Sequence, residues 1–153
     1  MPAGLKRYQK SGHLHFITFS CYRRLPYLAS DEAKQVFTER LEKTRLKHEF
    51  EVIAYVIMPE HVHLLLTEPP HVSLDVALKS LKQETSKILK GNRDHFWQAR
   101  YYDFNVFTTP KIKEKIQYIH TNPVTRGLVV EPQDWPWSSA HEPSRVILTL
   151  EPA

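Results

Sequence analysis

The stretch Tyr55-Val56-Ile57-Met58-Pro59-Glu60-His61-Val62-His63-Leu64-Leu65-Leu66 reads as two apolar strands pinched together at Pro59-Glu60, with two histidines opening the second. Side chains alternate between the faces of a strand, so His61 and His63 share one face while Val62, Leu64 and Leu66 share the other. Positions two apart along a strand lie roughly 7 Å apart at Cα, a span that two imidazoles leaning together can close onto one cation. A His-x-His pair in a strand is ordinarily solvated or hydrogen-bonded. This pair opens a core strand directly after a proline turn, which strengthens the case for a metal role.

Working outward, the first of these strands begins near Glu51 and the second runs to Glu68, where Pro69-Pro70 stops it. Proline suits the first central position of a type I turn. Two-residue hairpins prefer primed turns, so a longer or bulged connection at Pro59-Glu60 stays open. Upstream, Ser30 is an N-cap with Asp31 and Glu32 in the first turn, where the helix dipole favours acids. Ala33, Val36, Phe37, Leu41 and Thr44 recur at helical spacing and predict a helix from Asp31 to His48. Before it, residues 13–22 form a strand by β-branched and aromatic content. That strand carries a second His-x-His, His13 and His15, sharing a face with Ile17 and Phe19, and the pair is expected to be structural and partly exposed. Arg23 and Arg24 follow in a loop, and residues 5–12 read as a loose basic leader.

Downstream, Ser73 caps a second helix whose buried stripe is Leu74, Ala77, Leu78, Leu81, Thr85 and Ile88, with Gly91 as its stop. Lys79, Lys82, Lys87 and Lys90 line the rest of its surface. That face is either merely solvated or, with Arg23, Arg24 and Arg100, a phosphate-tracking patch. The aromatic-dense segment 96–107 includes a further strand near Tyr102 to Phe107. Its rings interleave with Arg100 and suit either core packing or base stacking.

Thr109-Pro110 signals a third helix, threonine capping and proline in the first helical position. Ile112, Ile116 and Ile119 form its apolar stripe, while Lys111, Lys115, Tyr118 and Asn122 fall on another face. Pro123 is expected to end this helix, leaving Asn122 in or just past its last turn. Tyr118 and Asn122 thus arrive side by side on one element, either as a core tyrosine and a C-terminal cap or as functional groups. The tail, with Gly127 as a turn and then Trp135-Pro136-Trp137-Ser138-Ser139, reads as an irregular segment wrapping the domain.

At 153 residues and 41% hydrophobic content the chain is expected to be one compact domain, with its core over 13–130 and the wrap over 131–153. No stretch approaches the ~20 apolar residues of a membrane span and no signal-peptide run opens the chain, so a cytoplasmic protein is expected. The single Cys21 excludes an intramolecular disulfide and a multi-cysteine zinc site. A net charge of +4 leans mildly toward a polyanionic partner.

Two separated blocks carry a family resemblance. Met58-Pro59-Glu60-His61-Val62-His63-Leu64-Leu65-Leu66 resembles the signature of the His-hydrophobic-His single-strand DNA transposases. The run Tyr118-Ile119-His120-Thr121-Asn122-Pro123-Val124-Thr125-Arg126-Gly127-Leu128-Val129 is similar to the second block of one branch, the REP-associated tyrosine transposases. Residues 97–103 and Trp137-Ser138-Ser139 fit the same branch. Glu60 departs from it, standing where the family more often has asparagine and putting an acid beside the histidines.

The resemblance implies an α+β fold, a ferredoxin-like antiparallel sheet packed with helices. It also implies His61, His63 and Asn122 as ligands of a divalent ion, Mg²⁺ or Mn²⁺, and Tyr118 as nucleophile. The expected reaction cleaves and rejoins single-stranded DNA at hairpins formed by repetitive extragenic palindromes, through a 5′-phosphotyrosine. Two imidazoles and one amide oxygen leave such an ion open positions for phosphate oxygens and water. Phenols ionise near pH 10 in water, so a tyrosine nucleophile needs a cation or base nearby, the metal or Lys115. Arg23, Arg24, Lys79, Lys82, Arg100 and Lys115 are the expected DNA contacts, and the protein is expected as a monomer or a homodimer. Tyr55, Tyr101 and Tyr102 are the rival tyrosines. The alternative reading is a domesticated hairpin-binding protein that no longer cuts; a structural metal protein unrelated to nucleic acid fits the charge and motif order less well.

Overall fold

The computed structural model describes residues 13–141. The leader at 5–12 and the tail beyond 141 lie outside the described residues. Four strands and three α-helices alternate as β1 (Leu14–Ser20), α1 (Asp31–His48), β2 (Val52–Ile57), β3 (His61–Leu66), α2 (Leu74–Leu89), β4 (Tyr102–Val106) and α3 (Thr109–Thr125). The sheet is antiparallel throughout with strand order β2-β3-β1-β4, the ferredoxin-like arrangement. It is a single α+β domain, as the family resemblance implied.

Alternation along β3 sorts the sheet's two faces. Val62, Leu64 and Leu66 join Ile17, Phe19, Tyr55 and Ile57 in one core layer, sealed by Phe37 and Leu41 of α1 and Leu78 and Leu81 of α2. On the other face Leu14, Phe16, Ala54, Val56 and Leu65 pack with Ile119 of α3. Each fully buried side chain of this size stabilises the fold by about 1.5–3 kcal/mol. Because α3 lies over β2 and β3, the β1–β4 side of that face is less covered.

The hairpin between β2 and β3 is tight. Met58 pairs across it with His61, its N–H donating to the His61 carbonyl at 2.8 Å, and the bulge lies at the far end of β2, between Val52 and Ala54. Helix starts follow their caps: the Ser30 and Ser73 hydroxyls accept from Ala33 N–H and Val76 N–H. Gly91, just past α2, takes φ +59°, a left-handed conformation that glycine adopts without steric cost.

Three local expectations are corrected. Ile88 is not in the buried stripe of α2 but 53% exposed, and Leu89 packs against the core in its place. The cap of α3 is Thr108, whose hydroxyl accepts from Lys111 N–H, which moves Pro110 to the second helical position. Pro123 does not end α3. The helix continues to Thr125, and the Asn122 carbonyl accepts from Arg126 N–H at 3.0 Å. A proline removes the donor to its own i−4 carbonyl and crowds that carbonyl, and burial of Ile119, Asn122 and Pro123 offsets this and holds the turn together.

Residues 131–141 run along one edge of the sheet. A 3₁₀ turn at Pro132–Asp134 leads into a segment that pairs with the outer edge of β2. Ile57 N–H donates to the Trp137 carbonyl and Ser139 N–H to the Tyr55 carbonyl, at 2.8 and 3.0 Å. Trp135 Nε1 donates to the Ile57 carbonyl, and Ser138 and Ser139 are buried. An otherwise bare sheet edge is covered this way.

Candidate active site

His61 and His63 lie on the α3 face of β3 and are almost fully buried, at 4% and 5% exposure. Their Nε2 atoms approach to 3.1 Å, with the rings nearly perpendicular. Each ring is held from behind. His61 Nδ1 lies 3.0 Å from Glu60 Oε1, and because a carboxylate only accepts, Nδ1 carries the proton. His63 Nδ1 lies 2.7 Å from the Thr18 hydroxyl, its cross-strand neighbour on β1.

Burial lowers the pKa of His61, against the pull of Glu60. Burial pushes His63 down to about 3, reinforced by His61, Arg24 and Lys115. Both imidazoles are therefore neutral at pH 7, the state in which they bind metal. With Nδ1 of His61 protonated, its Nε2 presents a lone pair toward the neighbouring ring. A cation between the two nitrogens satisfies this arrangement. Hydrogen bonding of the distal nitrogen to a carboxylate or hydroxyl is the usual way a metal-binding imidazole is oriented.

Asn122 sits on α3 one turn beyond Tyr118. It is 9% exposed, and its Oδ1 is buried with no hydrogen-bond partner. Buried polar oxygens are nearly always satisfied, so this one fits the chemistry of a metal-ligand oxygen. Among the described residues no three His, Cys, Asp or Glu side chains converge on one point. A third donor of another type is what a site built on this histidine pair requires, and the Asn122 amide is of that type. The residues fit a divalent cation.

Tyr118 lies beside the pair. Its ring packs edge-on against His63 at 5.4 Å and against Phe16 at 5.9 Å, while the side chain stays 49% exposed. Lys115, one turn earlier, holds its ammonium 4.7 Å from the Phe16 ring, 5.1 Å from Phe104 and 5.9 Å from Tyr118. Two arginines frame the other side. Arg126 Nη1 donates to Glu60 Oε1 at 2.6 Å, and Arg24 Nη2 comes within 3.4 Å of His61 Nδ1 and 3.8 Å of Glu60 Oε1. Burial alone raises the Glu60 pKa; the Arg126 hydrogen bond, together with the interactions with His61 and the Arg126 charge, outweighs it and holds the carboxyl below its usual range.

The structure divides the sequence-predicted site residues. His61, His63, Tyr118, Lys115 and Arg24 come together, and Asn122 shares the helix that carries Tyr118. Arg23 stacks over Tyr22 at 5.1 Å. Arg23 and Arg24 both take φ +54°, a left-handed conformation costing about 1 kcal/mol or more for a non-glycine residue. Arg100 lines a hollow with Thr18, Ser20 and Tyr102, beside the histidines. Lys79 and Lys82 instead line a groove with Trp97 and Tyr101, where Lys82 Nζ donates to the Gln98 carbonyl.

The rival tyrosines separate too. Tyr55 is buried in the opposite core layer. Tyr101 donates to Asp75, and burial together with that carboxylate pushes its pKa up to about 12. Tyr102 alone shares the histidine face. The second His-x-His is not partly exposed throughout: His15 is buried on the other face, its ring nitrogens 2.8 Å from Asp103 and 3.0 Å from Glu68.

Sequence reading missed Arg126, Thr18 and Phe16 as parts of the site. Strand register was the available signal for Thr18 and Phe16, and Arg126 had none.

With this geometry in place, comparison with known proteins is decisive for the family. Residues 8–122 match the family described as "Transposase IS200 like". The chain belongs to that transposase family. The REP-associated tyrosine transposase of Escherichia coli (strain K12) is 28% identical over 138 residues, covering 89% of this chain and 81% of the relative. A solved structure of a REP-associated tyrosine transposase bound to a REP hairpin superposes with a TM-score of 0.76 at 26% identity, covering 93% of this chain and 86% of that one. A crystal structure from Deinococcus radiodurans, 21% identical and covering 69% of this chain and 87% of its own, shares the fold with a TM-score of 0.53. The family and the fold both agree with the resemblance carried by the two sequence blocks.

Proposed function

We propose that the chain is a metal-dependent single-strand DNA transesterase that cuts and rejoins DNA at palindromic hairpins through a 5′-phosphotyrosine on Tyr118. The observation that carries this reading is the 3.1 Å convergence of two neutral imidazoles with the Tyr118 ring packed on one of them. The REP hairpin bound to the structural relative supports hairpin DNA as the partner. The substrate would be cytoplasmic DNA.

His61, His63 and Asn122 would hold the divalent ion, Mg²⁺ or Mn²⁺. When bound, that ion would supply positive charge to the scissile phosphate. Glu60 holds His61 in the tautomer with Nε2 free, and Thr18 keeps the His63 ring aimed. The Tyr118 oxygen attacks phosphorus, the bond from phosphorus to the 3′ oxygen breaks, and the 3′ oxygen takes up a proton while the phenol gives one up to solvent. Phosphodiester energy is retained in the tyrosine ester, so a second 3′-hydroxyl can reseal the strand without ATP. Lys115 places positive charge beside the nucleophile, where it attracts the strand's phosphates.

The test is incubation with end-labelled hairpin single strands in Mg²⁺, in Mn²⁺ and in chelator. A protein-linked product is expected only with metal. His61→Ala and His63→Ala should lose it while keeping most hairpin affinity, since backbone contacts supply binding. Full cleavage by either variant removes the histidine pair from the reaction. Hairpin binding by the unmodified protein with no product under any metal leaves the non-cutting alternative.

A further inference from the structure

Resting on the proposed function, a second feature of the histidine face bears on the substrate. Cross-strand pairing puts Tyr102 opposite Thr18, and Thr18 opposite His63, in one rung of the sheet. The next rung sets Phe104 opposite Phe16. Directly paired residues point to the same face. Tyr102 and Phe104 therefore stand on the face of the histidines, two strands away, roughly 10 Å along the rung.

An aromatic residue on a covered sheet face is ordinarily buried. These two are not: Tyr102 is 54% and Phe104 41% exposed, because α3 lies over β2 and β3 and stops short of β4. Their rings are stacked, 6.3 Å between centroids and 12° from parallel. Phe16 links them to the site, touching Tyr102, Tyr118 and His63 at 6.5, 5.9 and 5.4 Å. The Lys115 ammonium sits among Phe104, Phe16 and Tyr118. Arg100 lines the hollow that also contains Tyr102.

We infer that Tyr102 and Phe104 form a stacking platform for the unpaired nucleobases flanking the scissile phosphate, with Lys115 and Arg100 taking the phosphates of the same segment. Parallel exposed rings offer π-faces that any base can cover, and cations beside them match a backbone carrying one negative charge per nucleotide. Solvent-facing aromatics on a four-stranded sheet are a general means of holding single strands. The platform binds the strand at the point where it must be unpaired for Tyr118 to reach its phosphorus. It is a positioning surface, and its contacts are to bases rather than to the reacting atoms.

The test uses a hairpin oligonucleotide with single-stranded extensions, carrying 2-aminopurine at successive extension positions, in chelator so that no cleavage occurs. Stacking should quench the fluorescence at one or two adjacent positions. Tyr102→Ala with Phe104→Ala should abolish that quenching and weaken binding of the extended hairpin about tenfold, leaving blunt-hairpin affinity unchanged. Phe104→Trp should retain the quench, whereas Phe104→Leu, which keeps apolar bulk without a ring face, should lose it. Quenching that survives in the double variant, or an equal loss on blunt hairpins, overturns the platform. So does a double variant whose only change is weaker self-association without DNA, which assigns the face to a second copy of the chain. Since stacking is read without metal, failure of the platform is distinct from failure of Tyr118 to form an adduct.

Discussion

Arg126, capping the C-terminal end of α3, donates to Glu60 at 2.6 Å and so ties the tyrosine helix to the turn that opens the histidine strand. Glu60 in turn accepts from His61 through the same oxygen. One carboxylate thus fixes an imidazole and anchors the helix carrying Tyr118 and Asn122.

Arg126→Ala should destabilise the fold by about 1–2 kcal/mol, because it strips a charged hydrogen bond from a largely buried carboxylate. Arg126→Lys should recover part of that loss. Urea denaturation measures both. An unchanged midpoint in Arg126→Ala would show that the contact does not hold the helix to the turn.

His15 contrasts with the histidine pair proposed to hold the metal. Its ring bridges Glu68 and Asp103 on the face opposite His61 and His63. His15→Ala leaves two carboxylates without their shared partner and should cost about 1–3 kcal/mol of stability. Adduct yield per folded molecule should be unaffected. A variant that is stable but fails to form adduct would place the wrong His-x-His at the centre of the chemistry.

Much of this division was legible in the chain itself. Alternation along 61–66 assigned both faces of β3, since a buried strand leaves no freedom of register. Ser30, Ser73 and Gly91 marked helix ends through chemistry that acts locally. What could not be read depended on contacts between distant segments. The Arg126 bridge spans 66 residues, and the Thr18 support of His63 required knowing that β1 and β3 are neighbours. Pro123 misled because local backbone preference opposed a helical turn that burial against the sheet retains. Exposure of Tyr102 and Phe104 followed from where α3 ends its cover, which no periodicity encodes.

Cys21 offers a pH probe of the core. It is fully buried, and that burial pushes its thiol pKa from 9.0 up to about 12, against backbone hydrogen bonds from Tyr27 and Leu28 that lower it. Between those values the unfolded chain has lost the proton and the folded one retains it. The thiol's contribution to stability is therefore complete below pH 9 and lost as pH rises toward about 12, on the order of 1 kcal/mol per pH unit. Cys21→Ala should flatten this part of the stability profile, measured as denaturation midpoints from pH 8 upward. Parallel profiles for the two proteins would contradict it.

Everything proposed for the reaction turns on Tyr118 as the nucleophile. Phenylalanine at this position removes one oxygen and almost no volume, so Tyr118→Phe should fold and bind hairpins as before. The most direct measurement is peptide mass mapping of the protein–DNA adduct formed with Mg²⁺ or Mn²⁺, on the unmodified chain and on Tyr118→Phe, Tyr101→Phe and Tyr102→Phe. The nucleotide mass should lie on the peptide containing Tyr118, the adduct should disappear in Tyr118→Phe, and the other two variants should still form it. An adduct on the peptide containing Tyr101 or Tyr102, or one that persists in Tyr118→Phe, would contradict this assignment.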